Sequence, residues 1–185
     1  MTRLAESPLR IALLFGLLVA PLVLTSCDLA SAGNTLILNA DSAVPPVVRH
    51  RFEYTQDDAA ESGEVEVLSM IESDDLGEIL TTNGVNRNQV VSARVDSVRV
   101  RRVSAPALTA ADLYLGVDAS GPRIAQVQFS SGSMSEVDRT TRTVTGAVKG
   151  GEDTVFARFD VDDPGNIPPG GSVVRATVYY RIEAE

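Results

Sequence analysis

One cysteine, one histidine and no tryptophan set the first limits on this 185-residue chain. A lone thiol, Cys27, excludes any disulfide within the chain, so stability has to come from packing and backbone hydrogen bonds. The cysteine clusters and paired histidines of zinc sites are missing, and no cofactor is expected. Aromatic residues make up only 5% of the chain, which argues against a stacking platform for sugars or bases. Lysine is nearly absent as well: Lys149 is the only one, and every other basic residue is arginine. Acidic residues outnumber basic ones, 25 to 16. A surface of that sign repels nucleic acid and anionic lipid head groups, which require cationic patches. No nucleic-acid partner is expected.

What is present begins with a leader. Residues 1 to 10 carry Arg3 and Arg10 against Glu6, and residues 11 to 24 are uncharged. A membrane-spanning helix needs about 20 apolar residues; this run is shorter, and Pro21 interrupts it. A basic start, a short apolar stretch and small residues at a cleavage point describe an export signal. Leu24-Thr25-Ser26-Cys27 then resembles the lipobox of bacterial lipoproteins, and the resemblance covers residues 1 to 28. It implies a diacylglycerol on the Cys27 thiol, cleavage just before Cys27 by a dedicated signal peptidase, and acylation of the new amine with a palmitate-type chain. It also implies a place in the bacterial cell envelope, held to a membrane through lipid on Cys27. Asp28 resembles the inner-membrane retention signal of enterobacterial lipoproteins; placement at the outer membrane is the alternative. An ordinary signal peptide and an uncleaved anchor helix are the rival readings of the leader.

These features divide the chain into a signal peptide over 1–26, a lipidated cysteine and tether over 27–34, and a single domain over 35–185. The domain reads as mainly β. In 47–54, Val48, His50, Phe52 and Tyr54 share one face, and Arg49, Arg51 and Glu53 the other. In 153–161, Val155, Ala157, Phe159 and Val161 oppose Phe156, Arg158 and Asp160. In 172–183, Val174, Ala176, Val178, Tyr180 and Ile182 oppose Arg175, Thr177, Tyr179 and Arg181. Alternation of this kind marks half-buried strands. Weaker cases are 35–39, 64–71, 112–118, 123–130 and 142–149. Over 90–104 the phase slips from Val91, Ala93 and Val95 to Val98 and Val100, so a β-bulge near Asp96-Ser97 is expected, with two separate strands as the alternative. One short helix is expected near 74–83, with Asp75 and Glu78 as a capping box and Gly84 at its end. About eight strands separated by turns suggest an antiparallel β-sandwich; a closed lipocalin-like barrel is the alternative.

Candidate chemistry is sparse. His50 lies on an apolar strand face, where a core histidine is the plain reading and a general base or metal ligand the sharper one. Ser130, Ser131, Ser133 and Ser135 surround Gly132 in a loop, outside any nucleophile elbow. Asp160, Asp162, Asp163 and Asn166 crowd beside Pro164 and Gly165, and are weak calcium candidates because the spacing is not that of a known calcium loop. Glu72, Asp74, Asp75 and Glu78 suit a helix N-terminus. Arg99, Arg101 and Arg102 form a basic stripe, either a site for an anionic ligand or partner, or solvent-facing arginines paired with acids. The resulting expectation is a lipid-anchored, non-enzymatic binding or structural module of the envelope, with an envelope protein or a glycan as partner. A carboxylate-dependent hydrolase on a sandwich scaffold and a calcium-stabilised adhesion module are the alternatives.

Overall fold

Alternating burial along Val47–Tyr54 decides the architecture: Val48, His50, Phe52 and Tyr54 point inward while Arg49, Arg51 and Glu53 point out. A computed structural model describes residues 35–185, in which such half-buried strands form two packed antiparallel sheets. The expected signal peptide, the expected lipidation at Cys27 and the expected tether fall outside the described residues. Among the described residues there are eleven strands: β1 (Leu36–Leu38), β2 (Val47–Tyr54), β3 (Glu64–Leu68), β4 (Met70–Ile71), β5 (Val90–Arg102), β6 (Leu108–Leu115), β7 (Arg123–Gln128), β8 (Ser135–Asp138), β9 (Arg142–Thr143), β10 (Val155–Val161) and β11 (Ser172–Ala184). Helix α1 spans Leu76–Thr82 and α2 spans Thr145–Gly150.

Sheet A has the order β4-β2-β11-β5-β8, with β1 also on β11 and β9 also on β5. Sheet B has the order β3-β10-β6-β7. Neither sheet closes on itself or on the other, so the architecture is a sandwich and not a lipocalin-like barrel. Phe52 of sheet A meets Phe159 of sheet B edge to face, with ring centroids 5.4 Å apart, and Tyr54 lies 5.6 Å from the same ring. Edge-to-face aromatic pairs contribute about 0.5–1.5 kcal/mol beyond their buried area. They fasten the two inner faces at their centre.

The bulge expected near Asp96-Ser97 is present. Tyr179 faces Ser97 and Tyr180 faces Val95, leaving Asp96 as the extra residue. A second irregularity was not legible: Glu183 faces Ser92 and Ala184 faces Val90, so Val91 is displaced to solvent while Val90 takes its place inside. The run 64–71 also departs from expectation, for it is two strands in different sheets. β3 pairs with β10, and β4 pairs with β2. Ser69 makes the corner: its backbone N–H donates to Val155 O at 2.9 Å, and its Oγ accepts from the Val155 N–H at 3.0 Å.

Helix α1 starts as its sequence predicts. The Asp75 carboxylate accepts from the Glu78 N–H at 2.8 Å, and the Glu78 carboxylate accepts in return from the Asp75 N–H at 3.3 Å. Leu76, Ile79 and Leu80 are buried. The run 142–149, expected as a strand, pairs only over Arg142–Thr143 and then turns helical. Thr145 causes the change. Its Oγ1 accepts from the Ala93 N–H at 2.9 Å, in place of a backbone carbonyl, and shares Ala93 O with the Val144 N–H, at 3.2 and 2.9 Å. The turn Ala119–Pro122 joins β6 and β7 as a hairpin. Its Gly121 is required, because a Cβ there would collide with the Leu115 carbonyl oxygen.

Candidate functional site

Three central strands of sheet A carry most of the outward-facing positive charge. β11 lies between β2 and β5, and residues opposite one another across a sheet share a face. Arg175 on β11 stands opposite Arg51 on β2 and Arg101 on β5. One step along, Thr177 stands opposite Arg49 and Arg99. Five arginines thus occupy two neighbouring rows on the outer face. Like charges directly opposite are destabilising, so this arrangement opposes folding unless anions relieve it.

Relief is partial. Glu72, just after β4, accepts from Arg175 Nη2 at 3.0 Å and lies 3.6 Å from Arg51 Nη1. Arg51 also pairs with Glu53 on its own strand. Among the described residues Arg49, Arg99 and Arg101 form no ion pair, and all three are exposed. Together with Thr177, with Ser135 of β8 and with the Arg175–Glu72 pair they border an open depression of about 500 Å³. The short side chain of Thr177 between two long arginines makes the floor. Neighbouring strands lie about 4.8 Å apart, so the Arg49 and Arg99 backbones are separated by about 10 Å across it. Both guanidinium groups can reach over the hydroxyl.

The sequence stripe Arg99, Arg101 and Arg102 does not hold together as one surface. Period-two geometry keeps Arg99 and Arg101 outside and turns Arg102 inside. Its Nη1 donates to Leu108 O at 3.1 Å, and its guanidinium lies 4.8 Å over the Phe129 ring. Arg102 and Phe129 border a separate depression of about 470 Å³ among the loops, with Asp162 and Asn166 on its rim.

The remaining candidates have structural surroundings. His50 is fully buried, with Nδ1 3.1 Å from Ser69 Oγ at the corner between β3 and β4. Burial pushes its pKa down from 6.5 to about 4. Ser133 and Ser130 hydrogen-bond to Glu136 and hold its carboxyl below the usual carboxylate range, so these serines build the turn into β8. Asp163 accepts from the Gly165 N–H at 2.8 Å and starts a short helical turn. Asp160 sits on β10 opposite Glu64 and Ala110. Among the described residues no three His, Cys, Asp or Glu side chains gather to hold a metal ion. Glu72, Asp75 and Glu78 are used by the arginine face and the helix cap.

Sequence reasoning found Arg99 and Arg101 but missed that Arg49, Arg51 and Arg175 join them. The signal was present, since all three lie on the charged faces of alternating strands. Which strands are neighbours was not written in that alternation. Compared with models of known protein families and with characterised proteins, the chain matches none.

Proposed function

We propose that this protein is a lipid-anchored, non-enzymatic binding module of the bacterial cell envelope, and that the outer face of sheet A receives an anionic envelope partner. One observation carries the binding part: three exposed arginines without acid partners converge on one depression in a chain whose net charge is −9. Elsewhere among the described residues Arg87, Arg94, Arg123, Arg142 and Arg158 each have an acid partner, while Arg139, Lys149 and Arg181 have none but lie outside this depression. A local field of opposite sign steers an anionic partner to one face and turns it away from the rest.

The anchor rests on the lipobox resemblance of residues 24–27. One acyl chain gives only marginal membrane binding, whereas two or three on Cys27 give stable attachment. The Cys27→Ser protein is expected in the soluble fraction of disrupted cells, and the native protein in the membrane pellet. Equal pelleting of both forms removes the lipoprotein reading. For the face, full-length protein in neutral detergent is passed over immobilised heparin and polyglutamate. Salt-sensitive retention that is lost in an Arg49→Gln, Arg99→Gln, Arg101→Gln triple variant supports the proposal. Equal flow-through of the two proteins overturns it.

A further inference from the structure

The arginine face offers more than a diffuse positive field, and its donor arrangement selects among anions. Resting on the binding role proposed above, we propose that Arg49, Thr177 and Arg99, with Arg101 beside them, form a clip for a single phosphate monoester group.

Glu72 serves as an internal reference for what a carboxylate does on this face. Its two oxygens occupy Arg175 and reach Arg51, at the side of the depression. With Glu53 also on Arg51, two carboxylates serve two guanidinium groups, and three more guanidinium groups remain. One further carboxylate, with one negative charge, would leave part of that cationic set uncompensated. A phosphate monoester carries about −1.5 to −2 charges near neutral pH and three terminal oxygens. Guanidinium forks bind such oxygens in bidentate fashion. Arg49 approaches from β2, Arg99 and Arg101 from β5, and the Thr177 hydroxyl donates from below. Ser135, opposite Arg101 across the β5–β8 ladder, supplies a second hydroxyl at the far rim. The depression of about 500 Å³ is open enough for whatever carries the phosphate to extend into solvent.

A phosphate monoester of this kind can sit on a sugar or on a lipid glycerol, and the clip reads the group they share. The test is calorimetric titration of the full-length protein in neutral detergent with glucose 1-phosphate, dihexanoyl phosphatidic acid, inorganic phosphate, acetate and polyglutamate. Both phosphate monoesters are expected to bind, and acetate is not. Preference for the sugar or the lipid compound identifies the source. Removing one charged fork in Arg49→Gln or Arg99→Gln should weaken phosphate binding at least tenfold. Thr177→Val should weaken it less, and Arg158→Gln on the opposite face should leave it unchanged. Cooperative unfolding well above the titration temperature in every variant separates these effects from misfolding. If polyglutamate binds and neither monoester does, the phosphate clip is wrong while the anionic-partner reading stands. Phosphate binding that survives both arginine substitutions also overturns the clip. If no anion binds, both fall.

Discussion

On the outer face of sheet B, Arg158 stands between Glu66 of β3 and Asp112 of β6. At the corresponding place on sheet A, Arg175 stands between Arg51 and Arg101. The first arrangement is self-sufficient: Arg158 Nη2 donates to Glu66 at 2.7 Å, and Glu64 lies 3.6 Å from its Nε. Across the hairpin Arg123 reaches Asp112 at 3.5 Å. The second arrangement is incomplete, with Glu72 and Glu53 serving Arg175 and Arg51 while three more arginines stand without acids. Composition does not explain the contrast, because a chain rich in acids had the means to balance both faces. Strand order brings the arginines together, and their side chains face solvent, where a partner can supply the missing charge.

The contrast can be tested from the inside outward. Phe159 touches both Phe52 and Tyr54 and belongs to what the faces share. Phe159→Ala should lower unfolding free energy by about 3–5 kcal/mol, measured by urea denaturation. A loss below 1 kcal/mol would mean that the sheets do not depend on this contact.

His50 gives the next largest effect. It lies on the inner side of β2, the strand whose outer side carries Arg49 and Arg51. Its folded pKa of about 4 lies below the unfolded 6.5. Above 6.5 both states are neutral and nothing is gained or lost. As pH falls from 6.5 towards 4 the unfolded chain takes up a proton that the folded one refuses, so stability drops through that window by roughly 3 kcal/mol. Unfolding curves at pH 7 and 4.5 should therefore diverge more in the native protein than in His50→Leu. Equal divergence would mean that the ring is protonated in place.

The smallest effect discriminates most directly between the faces. Arg101→Ser removes one like-charge neighbour of Arg175 and should raise the melting temperature slightly, by an amount equivalent to roughly 0.2–1 kcal/mol. Arg158→Ser on sheet B should lower it. Added salt screens exposed charges, so the two shifts should shrink together. If both substitutions move the melting temperature in the same direction, the faces do not differ as described.

Much of the fold was legible because half-buried strands print their period on the sequence. β2, β10, β11, the cap of α1 and the bulge at Asp96 all follow from local spacing. Other features depended on partners distant in sequence. Ser69 divides one alternating run between two sheets because Val155 holds it at the corner. Thr145 ends β9 because Ala93 lies across from its hydroxyl. β8 is short and rich in polar residues, and sits in a stretch that reads as a serine loop. The arginine face was half legible for the same reason: each arginine declares its side of a strand, but not its neighbour in the next one.

Strand β1 has a mechanical consequence. It contributes three residue pairs to β11, with Leu36 opposite Ala184, and it lies where the described residues begin. Tension arriving from the amino-terminal side loads those pairs first. They can peel away while β11 remains zipped along its length to β5, and the rest of the sandwich is spared. Thr177 lies seven residues from Ala184 along β11, about 23 Å at strand rise. The arginine rows therefore stand well away from β1, and a pull through the lipid anchor proposed above would load β1 before it reached them.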